Sequence, residues 1–169
     1  MFASLRLSDH DMSQERGFLC SYSAADVTLP AELAAPEEAA RDLPRTLLTG
    51  QVRKHLRALP VLDLKAFCAG ASEAELRTAM VRYAFMVQAY VWGEPDAPSA
   101  LPAQLAVPIW ALAKRLGQQP LLPYSAYVLD NWDRLDRGGP TALDNIWMIQ
   151  NFLGGQDEAW FVLVHVAIE

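Results

Sequence analysis

Among the last ten residues, W-F-V-L-V-H-V-A-I-E (160–169), only His165 and Glu169 are polar, so an imidazole sits inside an otherwise apolar segment. On a helix, Phe161 and His165 lie four residues apart on one face, which places a phenyl ring beside the imidazole. Such a histidine has two readings. It hydrogen-bonds a backbone carbonyl or buried water inside a core, or it faces a ligand or a metal. A metal site built from the chain alone needs several convergent ligands, and the only histidines are His10, His55 and His165, far apart in sequence. A second group able to do chemistry is the pair of phenols in P-Y-S-A-Y-V-L-D-N-W, Tyr124 and Tyr127, with Tyr124 and Val128 four residues apart on one helical face. Near a helix start these hydroxyls either present themselves to a pocket or lie half-buried. No Walker A loop, G-x-G-x-x-G, H-E-x-x-H or G-x-S-x-G occurs.

The elements that must hold these groups are mostly helical. S-E-A-E opens the longest helix with a capping box at Ser72 and Glu75, followed by Leu76, Met80, Tyr83, Ala84, Val87 and Val91 at helical spacing, until Gly93 and Pro95 stop it. At 1.5 Å per residue it runs about 30 Å, enough to cross a domain. Its aromatics Tyr83, Phe85, Tyr90 and Trp92 are expected in the core rather than along a cofactor. In Q-V-R-K-H-L-R-A-L, Val52, Leu56 and Leu59 mark a buried face, and Arg53, Lys54, His55 and Arg57 a solvated basic one. A-V-P-I-W-A-L-A-K-R-L-G reads as a helix with Pro108 at its start and Gly117 just past its end. N-I-W-M-I-Q-N-F carries a weak strand signal after the turn R-G-G-P. The terminal segment, with Asp157 and Glu158 at its start, is apolar on every face, as a helix surrounded by protein would be. The fold class expected is mainly α: a small helical domain with at most one or two short strands, plus the start of a second helical domain.

Composition narrows the function classes. A chain of 169 residues, about half of them hydrophobic, can bury a core without staples. The formal charge of −6 disfavours nucleic acid and anionic membrane as partners, since both need a positive field. Two widely spaced cysteines, Cys20 and Cys68, point to free thiols and a cytoplasmic location. The N-terminus has no apolar signal region, and the longest apolar run is too short to span a bilayer.

Several strings taken in order resemble the indoleamine 2,3-dioxygenase family: R-G-F-L at 16–19, L-L-T-G-Q-V-R at 47–53, A-Y-V-W-G at 89–93, L-P-A-Q-L-A-V-P at 101–108, P-Y-S-A-Y-V-L-D-N-W at 123–132 and F-V-L-V-H-V-A-I-E at the end. The resemblance implies a haem b protein that opens the pyrrole ring of L-tryptophan or a related indole with O₂, giving N-formylkynurenine. It also implies a division into a loose tail at 1–16, a small helical domain at 17–155 and, at 156–169, the first helix of a truncated larger haem-binding domain.

Carried over residue by residue, Tyr124 matches the tyrosine of the family's distal pocket, and Val128 an apolar residue near the indole. Tyr127 stands where mammalian members have cysteine. Phe161, or Trp160 beside it, matches the phenylalanine that stacks near the indole. His165 stands where mammalian members have serine and resembles the distal histidine of the sister tryptophan 2,3-dioxygenases, with a hydrogen bond to the indole N–H or to oxygen as its implied role. The resemblance thus makes His165 catalytic, Tyr124, Tyr127, Val128 and Phe161 substrate-binding, and Tyr124, Val128 and His165 neighbours of the cofactor.

The proximal histidine belongs to the family's second half, so the chain alone is expected to be inactive. The alternative is a stand-alone helical module that binds an indole-like ligand or a partner helix without catalysis. Self-association through the exposed terminal helix is a further expectation.

Overall fold

The computed structural model describes residues 6–10, 12–14 and 16–168. The expected tail over 1–16 therefore lies partly outside the described residues, and so does Glu169; within the tail, Leu7–His10 forms a 3₁₀ turn and Ser13 bridges to Gly17. Seven α-helices are described: α1 (Ala34–Arg41), α2 (Leu43–Leu48), α3 (Val52–Arg57), α4 (Lys65–Gly70), α5 (Glu73–Trp92), α6 (Ala103–Leu116) and α7 (Gln156–Ile168). Two three-residue strands, β1 (Trp132–Arg134) and β2 (Ile146–Met148), pair antiparallel with Trp132 opposite Met148 and Arg134 opposite Ile146. The expected mainly helical class with at most two short strands is what the chain adopts.

The central element is α5, with α1, α3 and α6 packed around it. Its start is the predicted capping box: Ser72 Oγ accepts the Glu75 N–H, and the Glu75 carboxylate accepts the Ser72 N–H at 2.8 Å. Burial extends around the whole helix, because Phe85, Met86 and Tyr90 are as enclosed as the predicted Leu76, Met80 and Tyr83. Trp92 departs from the expectation; it is the last residue of α5 and is 70% exposed. Gly93 follows because nothing larger fits. A Cβ there would lie 2.4 Å from both the Ala89 carbonyl oxygen and Leu47 Cδ2.

Of the basic residues of α3, Lys54, His55 and Arg57 are exposed as expected, while Arg53 is turned to the end of α5. Arg53 donates from Nε and both terminal nitrogens to the carbonyls of Tyr90, Val91, Glu94 and Pro95, at 2.9–3.2 Å. The Tyr90 and Val91 carbonyls belong to the last turn of α5, which leaves them without intrahelical partners, and those of Glu94 and Pro95 to the loop after it, so the guanidinium acts as a cap supplied from another helix. Arg57 Nε donates to the Tyr90 hydroxyl at 2.8 Å. A linear pattern shows where a charge leaves the apolar stripe; it does not show what stands opposite.

Pro108 is the sixth residue of α6 rather than its start, because the helix begins after Pro102. The missing N–H leaves the Gln104 carbonyl without its usual partner, and Gln104 is only partly covered, so water can take that role. Gly117 closes the helix in the left-handed region, φ 68°, as expected.

Candidate functional site

Residues Ser125–Leu129 form a single π-helical turn, in which the Asp130 N–H reaches back five residues to the Ser125 carbonyl at 2.8 Å. A wider turn shifts side chains off the 3.6-residue register. Tyr124 and Val128 differ in burial: Val128 is completely buried, while Tyr124 is 43% exposed and Tyr127 half-buried. Val128 belongs to the core, and the open surface beside it is carried by the two phenols.

Helix α7 supplies the facing side. It packs on β2 and on the π turn through Val162 and Val166, its two buried residues. Here the structure corrects the expectation of a helix enclosed on all sides. Trp160 is 54%, Phe161 45% and Ile168 76% exposed, because only the stripe through Val162 and Val166 is fully covered by other described residues.

The predicted groups converge. The Tyr124 hydroxyl lies 2.9 Å from His165 Nδ1, and the rings meet edge to face. Phe161 packs on His165 with ring centroids 4.2 Å apart, Tyr127 on Phe161 at 5.6 Å, and Phe85 stacks on Tyr127 at 5.6 Å within 10° of parallel. An aromatic ladder thus climbs from the fully buried Phe85 to the partly exposed His165. Beside it opens a cleft of about 450 Å³ bordered by Leu122, Tyr124, Tyr127, Asp157, Glu158 and Phe161. His165 is only partly covered, and its Nε2 makes no hydrogen bond among the described residues. The imidazole is therefore neither of the two simple alternatives posed by the sequence: its partner is a side-chain hydroxyl at the rim of a cleft, with one ring nitrogen left over.

Three residues hold this arrangement, and of them the sequence singled out only Glu158, for its place at the start of the terminal helix. Asn131, fully buried, donates from Nδ2 to the Gln150 carbonyl at 2.8 Å and accepts the Gln150 N–H at 2.7 Å, which ties the end of the π turn to the strand β2 leads into. Gln150 in turn accepts from Arg82 and donates to the Ala40 carbonyl, both at 2.7 Å. Glu158 accepts the N–H groups of Phe152, Leu153 and Gly154 at 2.5, 2.8 and 2.9 Å, which fixes the first turn of α7 to the loop before it. Burial pushes the Tyr127 phenol above its ordinary range, and the Glu158 carboxylate nearby adds to the shift. The phenol therefore stays protonated and able to donate. For Asn131 and Gln150 the only advance signal was a polar side chain beside the apolar Trp132 and Ile149.

A buried carboxylate lies behind the π turn. Asp130 faces Arg77 Nη1 at 3.4 Å and the Tyr22 hydroxyl at 3.5 Å. Burial raises its carboxyl above the ordinary range, against the opposing pull of Arg77.

The residues suit one side of a planar aromatic group rather than an inorganic ion. Among the described residues no set of three or more histidine, cysteine, aspartate or glutamate side chains could hold a metal. The half-exposed Phe161, with His165 and Tyr124 at its edge, offers instead an apolar aromatic wall carrying two polar atoms. Such a wall fits the face of a porphyrin.

Comparison with known proteins agrees with this geometry. The family model described as indoleamine 2,3-dioxygenase matches residues 6–169. Indoleamine 2,3-dioxygenase 1 of Mus musculus is 32% identical over 96% of the chain, and that of Saccharomyces cerevisiae is 38% identical over 79%. A myoglobin of Haliotis diversicolor is 30% identical over 99% of the chain. The chain spans 39%, 30% and 42% of the length of these three relatives respectively, well under half in each case. With a match that runs through the phenols of the π turn and the histidine of α7, the chain belongs to the indoleamine 2,3-dioxygenase family.

Proposed function

We propose that this chain forms the distal wall of the haem pocket in a protein that opens the pyrrole ring of L-tryptophan or a related indole with O₂, yielding N-formylkynurenine. The observation that carries this reading is the 2.9 Å contact between Tyr124 and His165 at the rim of an aromatic cleft. When bound, haem iron supplies the activation of O₂ that no side chain here provides. His165 and Tyr124 border the cofactor; Tyr127 and Phe161 line the side of the cleft that would take an indole. Val128 contributes by packing beneath the π turn.

The phenol sets the tautomer of the imidazole. For His165 Nε2 to accept the indole N–H, the ring proton must lie on Nδ1 and be donated to the Tyr124 oxygen. If Tyr124 donates instead, Nε2–H is a donor and orients an oxygen atom of the substrates. Either way the hydroxyl holds the ring plane, and the aromatic ladder excludes water from one side of it.

The chain spans well under half of its relatives' length and none of the residues of this wall is assigned to hold the iron, so residues 1–169 by themselves would bind haem loosely and would not turn over indoles. Cys20 and Cys68 are both free, which supports a reducing, cytoplasmic setting. Among the described residues no helix is long and apolar enough to cross a membrane.

The test is a chimera in which residues 1–169 replace the matching part of the Mus musculus relative. It should turn over L-tryptophan, and His165→Ala should lower kcat/KM by about tenfold, the loss of one hydrogen bond that strengthens in the transition state. Unchanged kinetics in that variant would refute the role. The relative called a myoglobin supports a second reading, in which the same wall serves ligand binding without ring opening. A chimera that holds haem but forms no product under any indole would favour it.

A further inference from the structure

On the side of the molecule formed by α4 and α6 lies an open groove of about 1100 Å³, more than twice the volume of the cleft beside His165. Its floor is apolar. Val107, Trp110 and Ala111 fall at i, i+3 and i+4 along α6, with Val107 41% and Trp110 62% exposed, and Val61 faces them at 52%. The opposite face of the same helix, Leu105, Ile109 and Leu112, is the one buried on α5. α6 therefore carries two apolar stripes, one fully buried and the other, through Val107 and Trp110, largely exposed among the described residues.

The rim is cationic. Lys65, Lys114 and Arg115 border the groove against a single acid, Asp63, which pairs with Lys65 at 3.3 Å. Arg115 uses Nε to bond the Cys68 carbonyl at 3.0 Å, which holds the guanidinium at the edge, and Lys114 makes no ion pair among the described residues. This excess of positive charge occurs on a chain whose formal charge is −6. Along the groove α6, at fourteen residues, offers a track about 21 Å long. A track of that length, apolar along the middle with cations at the sides, matches a helix whose apolar i, i+3, i+4, i+7 stripe is flanked by carboxylates.

We propose that the α4–α6 groove docks an acidic amphipathic helix of a separate protein. Trp110 is the anchor of the contact, and Lys114 sets the charge preference. The site lies apart from the residues assigned to haem and indole, so docking does not depend on either.

Two synthetic fifteen-residue helical peptides with the same leucine stripe test this, one flanked by glutamates and the other by lysines. Each is titrated into the 169-residue chain, with tryptophan fluorescence and two-dimensional NMR as readouts. The glutamate peptide should bind saturably, at least tenfold tighter than the lysine peptide, with shifts confined to α4 and α6 and a marked weakening in high salt. Trp110→Ala should lower that affinity at least tenfold, and Lys114→Glu should invert the preference between the two peptides. Both residues are exposed, so the helical signal of each variant should match the parent chain. Equal affinity for both peptides, saturable binding elsewhere on the surface, or no binding overturns the proposal. So does concentration-dependent sedimentation abolished by Trp110→Ala, which would make a second copy the occupant.

Discussion

Glu158 is the residue whose loss should connect stability to the site most directly. Its carboxylate gathers three consecutive backbone N–H groups, those of Phe152, Leu153 and Gly154, and thereby anchors the helix that carries Phe161 and His165. A hydrogen bond to a charged acceptor contributes roughly 1.5–3 kcal/mol when buried. Glu158 is only half-buried, and Leu153 and Gly154 are exposed, so water replaces part of each bond once the carboxylate is gone. Discounted in that way, Glu158→Ala should cost about 2–3 kcal/mol in all. For a chain of this length that corresponds to a fall of about 4–12 °C in Tm. Glu158→Gln keeps one acceptor oxygen and the side-chain length, so it should lose about half as much.

The measurement is thermal unfolding followed by circular dichroism, paired with NMR of the histidine ring protons. Loosening the first turn of α7 should shift and broaden the His165 signals, because the contact with Tyr124 depends on where α7 sits, while those of His55 on α3 stay in place. If Glu158→Ala left Tm within a degree of the parent and the His165 signals unmoved, the anchoring role assigned to this carboxylate would be wrong.

Other consequences can be checked as simply. Gly93→Ala should destabilise the chain by about 1–3 kcal/mol, since its Cβ meets a backbone oxygen and Leu47 at 2.4 Å, and urea unfolding should show the loss as a lower midpoint at unchanged slope. For Asp130, burial raises the folded-state carboxyl above its ordinary value of 3.8, so the folded chain binds protons more readily than the unfolded one there. This group's contribution is therefore most favourable at low pH and declines as pH rises from that value through the raised one. The stability difference between the parent chain and Asp130→Asn should accordingly be larger at pH 4 than at pH 7 by urea unfolding, and a difference growing toward pH 7 would contradict the direction of the shift.

Local signals in the sequence carried the helices a long way. Ser72 and Glu75 mark the start of α5 because a capping box is made within four residues, and Gly117 marks the end of α6 because only the left-handed region closes it there. Leu76, Met80 and Tyr83 identify a buried face through spacing alone, and His165 stands out as one polar group in an apolar run. These features are contacts between near neighbours in the chain, so a linear pattern contains them. The same pattern could not show that Val128 is fully buried while Tyr124, four residues earlier, is left at the surface, because that depends on what packs against the π turn. It also misread Arg53 as solvated.

What only the tertiary structure decided is which distant groups meet. Tyr124 and His165 are 41 residues apart, Arg53 and the end of α5 about as far, and the pairing of Asn131 with Gln150 closes a loop between them. No local rule fixes such encounters, because each depends on how whole helices settle against α5. Sequence thus determined which residues could take part, and the packing of the core determined which of them share a cleft.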